Sequence, residues 1–208
     1  MKLENLTINF LGDSITEGTG ASNPSNCYVS RIQQATGCVC RNYGIGGTRI
    51  ARKSKASATT RHDLDFNCRI PIIDHNADLI VVFGGTNDFG HGDAPLGQMG
   101  DKGLYTFYGA LECLYTALEE HYKKEQIVIL TPLHRYDRAD SSPLENFVKA
   151  IRQVAKAHDL TVLDLYEDSV MHPRTPDVSA TYFADGLHPN DFGYETLANE
   201  IMTFLEKL

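Results

Sequence analysis

The chain has 208 residues, enough to bury one substantial core, and no Pro/Ser/Gly-rich linker divides it, so a single domain over 1–208 is expected. Its 27 Asp and Glu against 19 Lys and Arg leave a net charge of −8, which argues against a sequence-independent grip on nucleic acid phosphates. No run approaches the ~18 apolar residues of a membrane span, and the N-terminus lacks a secretory apolar segment, so no stable membrane insertion and a cytoplasmic location are expected.

Leu6 to Leu11 is an apolar run that stops at Gly12-Asp13-Ser14, the pattern of a buried strand delivering a serine to a sheet edge. A polar turn from Thr16 to Asn26 follows, then helical spacing from Cys27 to Ala35 and a second strand over Val39 to Tyr43, closed by Gly44-Ile45-Gly46-Gly47. Strand, helix and strand within about 40 residues make a βαβ unit, which implies parallel strands ending on one side. Arg49 to Asp74 has no clear pattern, although Leu64 to Ile73 has the composition to cover one face of the sheet.

Asp78 to Phe83, with the core Leu79 to Phe83, is the clearest buried parallel strand and runs into Gly84-Gly85-Thr86-Asn87-Asp88. A glycine-rich loop from Phe89 to Gly103 suits either a lid or a plain connection. A helix is predicted from about Leu104 to Tyr122, with Leu104, Tyr108, Leu111, Tyr115 and Leu118 on its sheet face. Gln126 to Leu130 is a fourth strand, followed by a loop carrying His134, Arg135 and Tyr136. Ser142-Pro143-Leu144-Glu145 predicts an N-cap serine with a capping box opening the next helix. Leu160 to Leu165 is the fifth strand, a loop leads from Tyr166 to Tyr182, and a last helix starts near Asn190. Five strands alternating with helices specify a three-layer α/β domain.

The five cysteines are an odd number without a secretory signal, and they read as reduced, mostly buried thiols. Cys38 and Cys40 lack zinc-ligand spacing, and two apart in a strand they point to one face. His62, His75, His91, His121, His158 and His172 form no metal pair at i, i+4 and read as surface residues. Gly44 to Gly47 superficially suggests a dinucleotide loop, but no acidic residue ends the next strand in the required register. Arg49, Arg52, Lys53, Lys55 and Arg61 read as a solvated basic face, as a lure for anionic substrates, or as partners of an acidic lid or neighbouring subunit.

In open parallel sheets, ligands bind beyond the carboxyl ends of the strands. Ser14, Gly47, Asn87, His134 and the pair Asp185 and His188 all fall there, after strands one to five in turn. A serine hydroxyl needs a neutral imidazole to take its proton, and His188 is the candidate. That imidazole needs a carboxylate to hold its tautomer, and Asp185 lies three residues away. The N–H groups of Ser14 and Gly47 and the amide of Asn87 are the candidate oxyanion donors. Ser14 read alone would also serve as an N-cap, and Asp13 reads as a brace of the turn rather than a reacting group.

Gly12-Asp13-Ser14-Ile15, Asn42 to Gly47, Gly85-Thr86-Asn87-Asp88 and Asp185-Gly186-Leu187-His188-Pro189 together resemble the four blocks of the SGNH (GDSL-type) hydrolases, in order. Ile15 stands where the acronym has leucine, and Gly47 aligns with the second block better than Gly46 does. The resemblance implies a flavodoxin-like fold with a five-stranded parallel sheet in the order 2-1-3-4-5. It implies Ser14, Asp185 and His188 as catalytic triad, Ser14, Gly47 and Asn87 as oxyanion hole, and no metal or organic cofactor. The expected activity is a serine-dependent carboxylic-ester hydrolase that removes small, acetyl-like groups from a carbohydrate or other small soluble ester, with water as second substrate. A lysophospholipase or thioesterase of the same fold is the alternative, and a non-catalytic binding domain the reading from another class. A homo-oligomer is compatible with the sequence but not derivable from it.

Overall fold

The alternation of the first strand sorts its side chains into two cores. In the computed structural model, which describes residues 2–208, β1 (Thr7–Gly12) sends Ile8 and Phe10 to one face of the sheet and Leu11 to the other. β2 (Val39–Gly44), β3 (Leu79–Phe83), β4 (Ile127–Leu130) and β5 (Thr161–Leu163) complete a parallel sheet in the order β2-β1-β3-β4-β5. Helices follow in chain order as α1 (Ser14–Glu17), α2 (Tyr28–Thr36), α3 (Phe66–Arg69), α4 (Thr86–His91), α5 (Phe107–Glu119), α6 (Leu144–Ala157), α7 (Leu165–Asp168), α8 (Val178–Tyr182) and α9 (Asp191–Leu205).

Ile8, Phe10, Val81, Phe83, Val128 and Leu130 pack with Tyr28 and Ile32 of α2 and Leu197 and Ile201 of α9. Leu11, Ile80, Val82, Ile127 and Ile129 meet Phe66 of α3, Leu111 of α5 and Ile151 of α6 on the opposite face. Each such side chain, fully buried, contributes about 1.5–3 kcal/mol, so both faces of the sheet are covered. β1 lies between β2 and β3, so the chain leaves it toward one edge and returns on its other side. That reversal opens a crevice at the carboxyl ends of β1 and β3. The flavodoxin-like order expected from the sequence is the order observed. No helix of the described residues is long and apolar enough to cross a membrane.

Several boundaries differ for local reasons. The helix predicted from Leu104 begins at Phe107, because the Thr106 side chain caps it by accepting the Gly109 N–H. The capping box predicted at Ser142 does not form. Asp140 takes the Ser142 N–H at 2.9 Å, Pro143 precedes the first helical residue, and Glu145 pairs with Lys149 one turn on. The segments read as loops after Ser14 and after Tyr166 each contain short helices, α1, α7 and α8. Phe89 to His91 belong to α4, and the rest of the glycine-rich loop is anchored. Asp93 accepts Ser54 N–H at 3.0 Å, and Pro95 C=O accepts Phe107 N–H at 2.9 Å.

Of the five free cysteines, Cys27 and Cys38 are buried and the others half-buried. The Cys38 and Cys40 sulfurs lie 3.2 Å apart, on one face as their spacing predicts. The six scattered histidines are exposed or half-buried. The ring of His134, beyond β4, stacks on Tyr166 at 3.8 Å, and its buried Nε2 has no partner among the described residues. Burial, with His172 beside it, pushes its pKa down to about 4. A histidine whose folded pKa lies below its unfolded value withdraws stability as pH falls through that interval. Exchanging it for phenylalanine, which keeps the stack, should therefore raise Tm more at pH 5 than at pH 7.5, and thermal melts at the two values check this.

Candidate active site

Ser14 owes its position to a turn that only glycine can begin. A Cβ on Gly12 would stand 1.9 Å from Thr16 Oγ1, so the chain folds back on itself there. The Asp13 side chain caps α1 by accepting the Ile15 N–H at 3.0 Å, which makes Asp13 rather than Ser14 the N-cap. Gly18, at φ 104°, ends the turn with its N–H on Ser14 C=O. Thr16 is pinned to Tyr28 at 2.9 Å from the α2 side. Burial pushes the Asp13 carboxyl up to about 6 against the lowering effect of the Ile15 N–H.

The loop between α8 and α9 brings two more groups to the same crevice. Phe183 and Pro189 form an isolated antiparallel bridge, and Ala184 N–H donates to His188 C=O at 2.8 Å. Gly186, at φ 82°, packs on the 136–137 backbone where a Cβ would lie 2.8 Å from Asp137 N. Within this tight loop Asp185 Oδ1 accepts the N–H groups of Leu187 at 2.9 Å and His188 at 2.7 Å. Its Oδ2 lies 2.7 Å from His188 Nδ1, and His188 Nε2 lies 2.9 Å from Ser14 Oγ. Partial desolvation raises the Asp185 pKa, but the hydrogen bonds from His188 and Leu187 outweigh it and hold the carboxyl below its usual range. An ionised carboxylate only accepts, so Nδ1 carries the proton and Nε2 faces the serine as an acceptor.

The turn that carries Gly47, at φ 74°, comes up against Ser14, since a Cβ on Gly46 would stand 3.6 Å from Ser14 Cβ, and Asn87 lies in the first turn of α4. The N–H of Gly46 is taken by Glu17 Oε2 at 2.7 Å, whereas that of Gly47 has no acceptor among the described residues. Asn87 Nδ2 donates to Thr48 C=O at 2.9 Å, which fixes the amide and leaves its second hydrogen for a ligand. Ser14 stands at the first position of α1, where an N–H has no intrahelical partner.

Two buried ionisable residues to which sequence reasoning assigned no role of their own, Arg69 and Asp88, hold this arrangement. Arg69 donates to Tyr43 C=O at 2.6 Å, Gly12 C=O at 3.1 Å and Thr48 Oγ1 at 3.1 Å, tying the ends of β1 and β2 to the turn that carries Gly47. Its guanidinium lies over the Phe66 ring, and burial pushes its pKa down to about 10. Asp88 accepts the N–H groups of Ile50 at 3.0 Å and Ala51 at 2.8 Å, and burial pushes it up to about 7. Asp88 was legible as part of Gly85-Thr86-Asn87-Asp88; Arg69 sits in the patternless segment and carried no signal.

The basic stretch is not a solvated face throughout. Arg49 is 2 % exposed and donates to Gly47 C=O at 3.3 Å and His62 C=O at 2.8 Å, beside Asp63. Arg52 pairs with Asp65 at 2.7 Å, and Arg61 pairs with Glu17. Most of its charge is thus neutralised within the protein. A groove of about 630 Å³ between α7 and α9, lined by Leu165, Val170, Phe192 and Phe204 among others, contains none of the candidate residues.

A hydroxyl bonded to an imidazole that a carboxylate orients, near N–H donors without an acceptor among the described residues, has the components of acyl transfer. Comparison with known proteins points the same way. The model of the family described as GDSL-like lipase/acylhydrolase matches residues 10–196. An isoamyl acetate-hydrolysing esterase of Schizosaccharomyces pombe is 28 % identical, over 96 % of this chain and 75 % of its own. Among solved structures, a Lactobacillus plantarum protein superposes with a TM-score of 0.83 at 30 % identity, over 98 % of both chains. A lipase/acylhydrolase from Enterococcus faecalis does so with a TM-score of 0.68 at 26 % identity, over 97 % of this chain and 96 % of that one.

Proposed function

The chain belongs to the GDSL-like lipase/acylhydrolase family and is a hydrolase of ester bonds, and on that premise we propose that it cleaves acetate-like esters of small soluble alcohols through an acyl-enzyme on Ser14. The observation that carries this reading is the unbroken hydrogen-bonded line from Ser14 Oγ through His188 to Asp185. Kinship with an esterase named for isoamyl acetate supports a short acyl group and a small alcohol.

Ser14 Oγ attacks the ester carbonyl carbon as its proton passes to His188 Nε2. Negative charge gathers on the former carbonyl oxygen, where the N–H groups of Ser14 and Gly47 and the Asn87 amide receive it. The carbon–oxygen bond to the alcohol breaks, and the alkoxide leaves with the proton from His188. Water then attacks the acyl-serine, gives its proton to His188, and the collapse returns that proton to Ser14 as the acid departs. Asp185 stays ionised throughout and stabilises the imidazolium in both halves.

Among the donors, Asn87 is the one that mutation removes cleanly. Asn87→Ala should lower kcat by about 10²- to 10³-fold with a smaller change in KM, because the bond strengthens as the oxyanion forms. Steady-state kinetics on p-nitrophenyl acetate tests it; an unchanged kcat removes Asn87 from the oxyanion hole. Activity of the purified protein on isoamyl acetate and on acetylated sugars tests the alcohol, and faster cleavage of the sugar esters would overturn the small-alcohol reading.

A further inference from the structure

One histidine lies against Gly47 and a second lies beside the first. A Cβ on Gly47 would stand 2.5 Å from His62 Cδ2 and 2.6 Å from its Nε2, so the imidazole packs directly on the glycine Cα. The His62 and His91 rings are tilted to each other, with centroids 6.2 Å apart. His91 follows Asn87 by four residues on α4 and therefore lies on the same helix face, one turn farther from Ser14. Arg49 Nη1 backs it at 3.2 Å from Nδ1.

The short turn Thr60–Asp63 that carries His62 is tethered back toward Ser14. Arg61 pairs with Glu17, whose other oxygen holds the Gly46 N–H at 2.7 Å. Glu17 is three residues past Ser14 on α1. On its inner side the turn is secured by Arg49 on His62 C=O at 2.8 Å and by Ser57 Oγ on Asp63 at 2.6 Å.

Resting on the reading of the preceding subsection, we propose that His62, backed by His91 and held by the Arg61–Glu17 pair, is the end wall of the acyl subsite and restricts the acyl group to a few carbons. The leaving alcohol must depart beside His188 Nε2, the atom that protonates it. Gly47 and Asn87 are the proposed donors to the carbonyl oxygen, which belongs to the acyl half of the ester, so a wall built on Gly47 meets the acyl part rather than the alcohol. Nothing in the family blocks specifies this wall: His62 and Arg61 lie in the segment without a pattern, and Glu17 in the turn after Ser14.

The test is a pair of series, p-nitrophenyl esters from acetate to octanoate and acetates of alcohols of increasing length, with kcat/KM measured for each. Wild type should fall steeply from acetate to hexanoate. His62→Ala should raise the hexanoate-to-acetate ratio by about tenfold or more, since each added methylene in an apolar pocket discriminates by roughly 10- to 200-fold. Arg61→Ala, at a residue whose side chain is 53 % exposed and so safe for folding, should shift the ratio the same way, and Arg61→Lys should restore it. A ratio within twofold of wild type in both alanine variants, or a shift confined to the alcohol series, overturns the wall. Wild-type protein inert toward every ester would sink the functional reading itself, a result distinct from an active enzyme whose chain-length profile these changes leave alone.

Discussion

Replacing Ser14 by alanine should lower kcat on p-nitrophenyl acetate by about four to six orders of magnitude, and adding His188→Ala to that variant should cost little more. Deleting Oγ removes the atom proposed to form the acyl-enzyme, and an imidazole without its serine is left to assist direct attack by water. The losses do not add because the hydroxyl and the imidazole act on one proton in one step. Folding should survive the change. Gly18 and Thr19 bond to the main-chain oxygen of Ser14, which alanine keeps, and the cap of α1 comes from Asp13. A fluorophosphonate probe should label the parent and not the variant. An alanine variant as fast as the parent would end the assignment, and so would losses that multiply in the double variant.

Asp185→Asn is expected to cost between about 10² and 10⁴ in kcat. Oδ1 of the native carboxylate accepts two main-chain N–H groups, at 2.9 Å and 2.7 Å, while Oδ2 faces His188 Nδ1 at 2.7 Å. An asparagine keeps its carbonyl on the two N–H donors and so turns its NH₂ toward Nδ1. That nitrogen must then accept, the ring proton moves to Nε2, and Nε2 can no longer take the proton of Ser14. The Asp185 side chain is 55 % exposed, so solvent screens part of its charge and the loss should fall below the top of that range. Comparison with Asp185→Ala separates the two effects: water can replace the missing oxygen there and leave the tautomer free, so alanine should be the milder change. Equal rates for aspartate and asparagine at pH 7.5 would remove Asp185 from the line.

The most legible parts of this protein are those set by neighbours in the chain. Leu6 to Leu11 announced a buried strand because its apolar residues occupy both faces, and the Gly-Asp-Ser that follows announced a turn because Gly12 has no room for a Cβ. Asp185 and His188 were legible as a pair because a tight loop lets one carboxylate cap two N–H groups and still reach a ring three residues on. The capping box at Ser142 failed for the opposite reason: Asp140 competes for the same N–H, and nothing in the local pattern ranks the two acceptors. Arg49 read as surface because cations usually are, yet its partners are the carbonyls of Gly47 and His62 and the Asp63 carboxylate, which a folded loop alone assembles.

The amino-acid order by itself determined the alternation of strands and helices, the parallel sheet, and the set of groups delivered to its carboxyl edge. Each of those follows from side chains a few positions apart. Tertiary structure decided which of these groups meet and what holds them. Ser14 and His188 are 174 residues apart, and Arg69 reaches across 57 residues to Gly12. It also distinguished the two glycines, because the carboxylate of Glu17 occupies the N–H of Gly46 while that of Gly47 has no acceptor among the described residues, and it set the His62 ring against the latter. Hydrogen-bond donors and acceptors are committed one to another only when the chain is packed, so which N–H remains open to a ligand is a property of the fold.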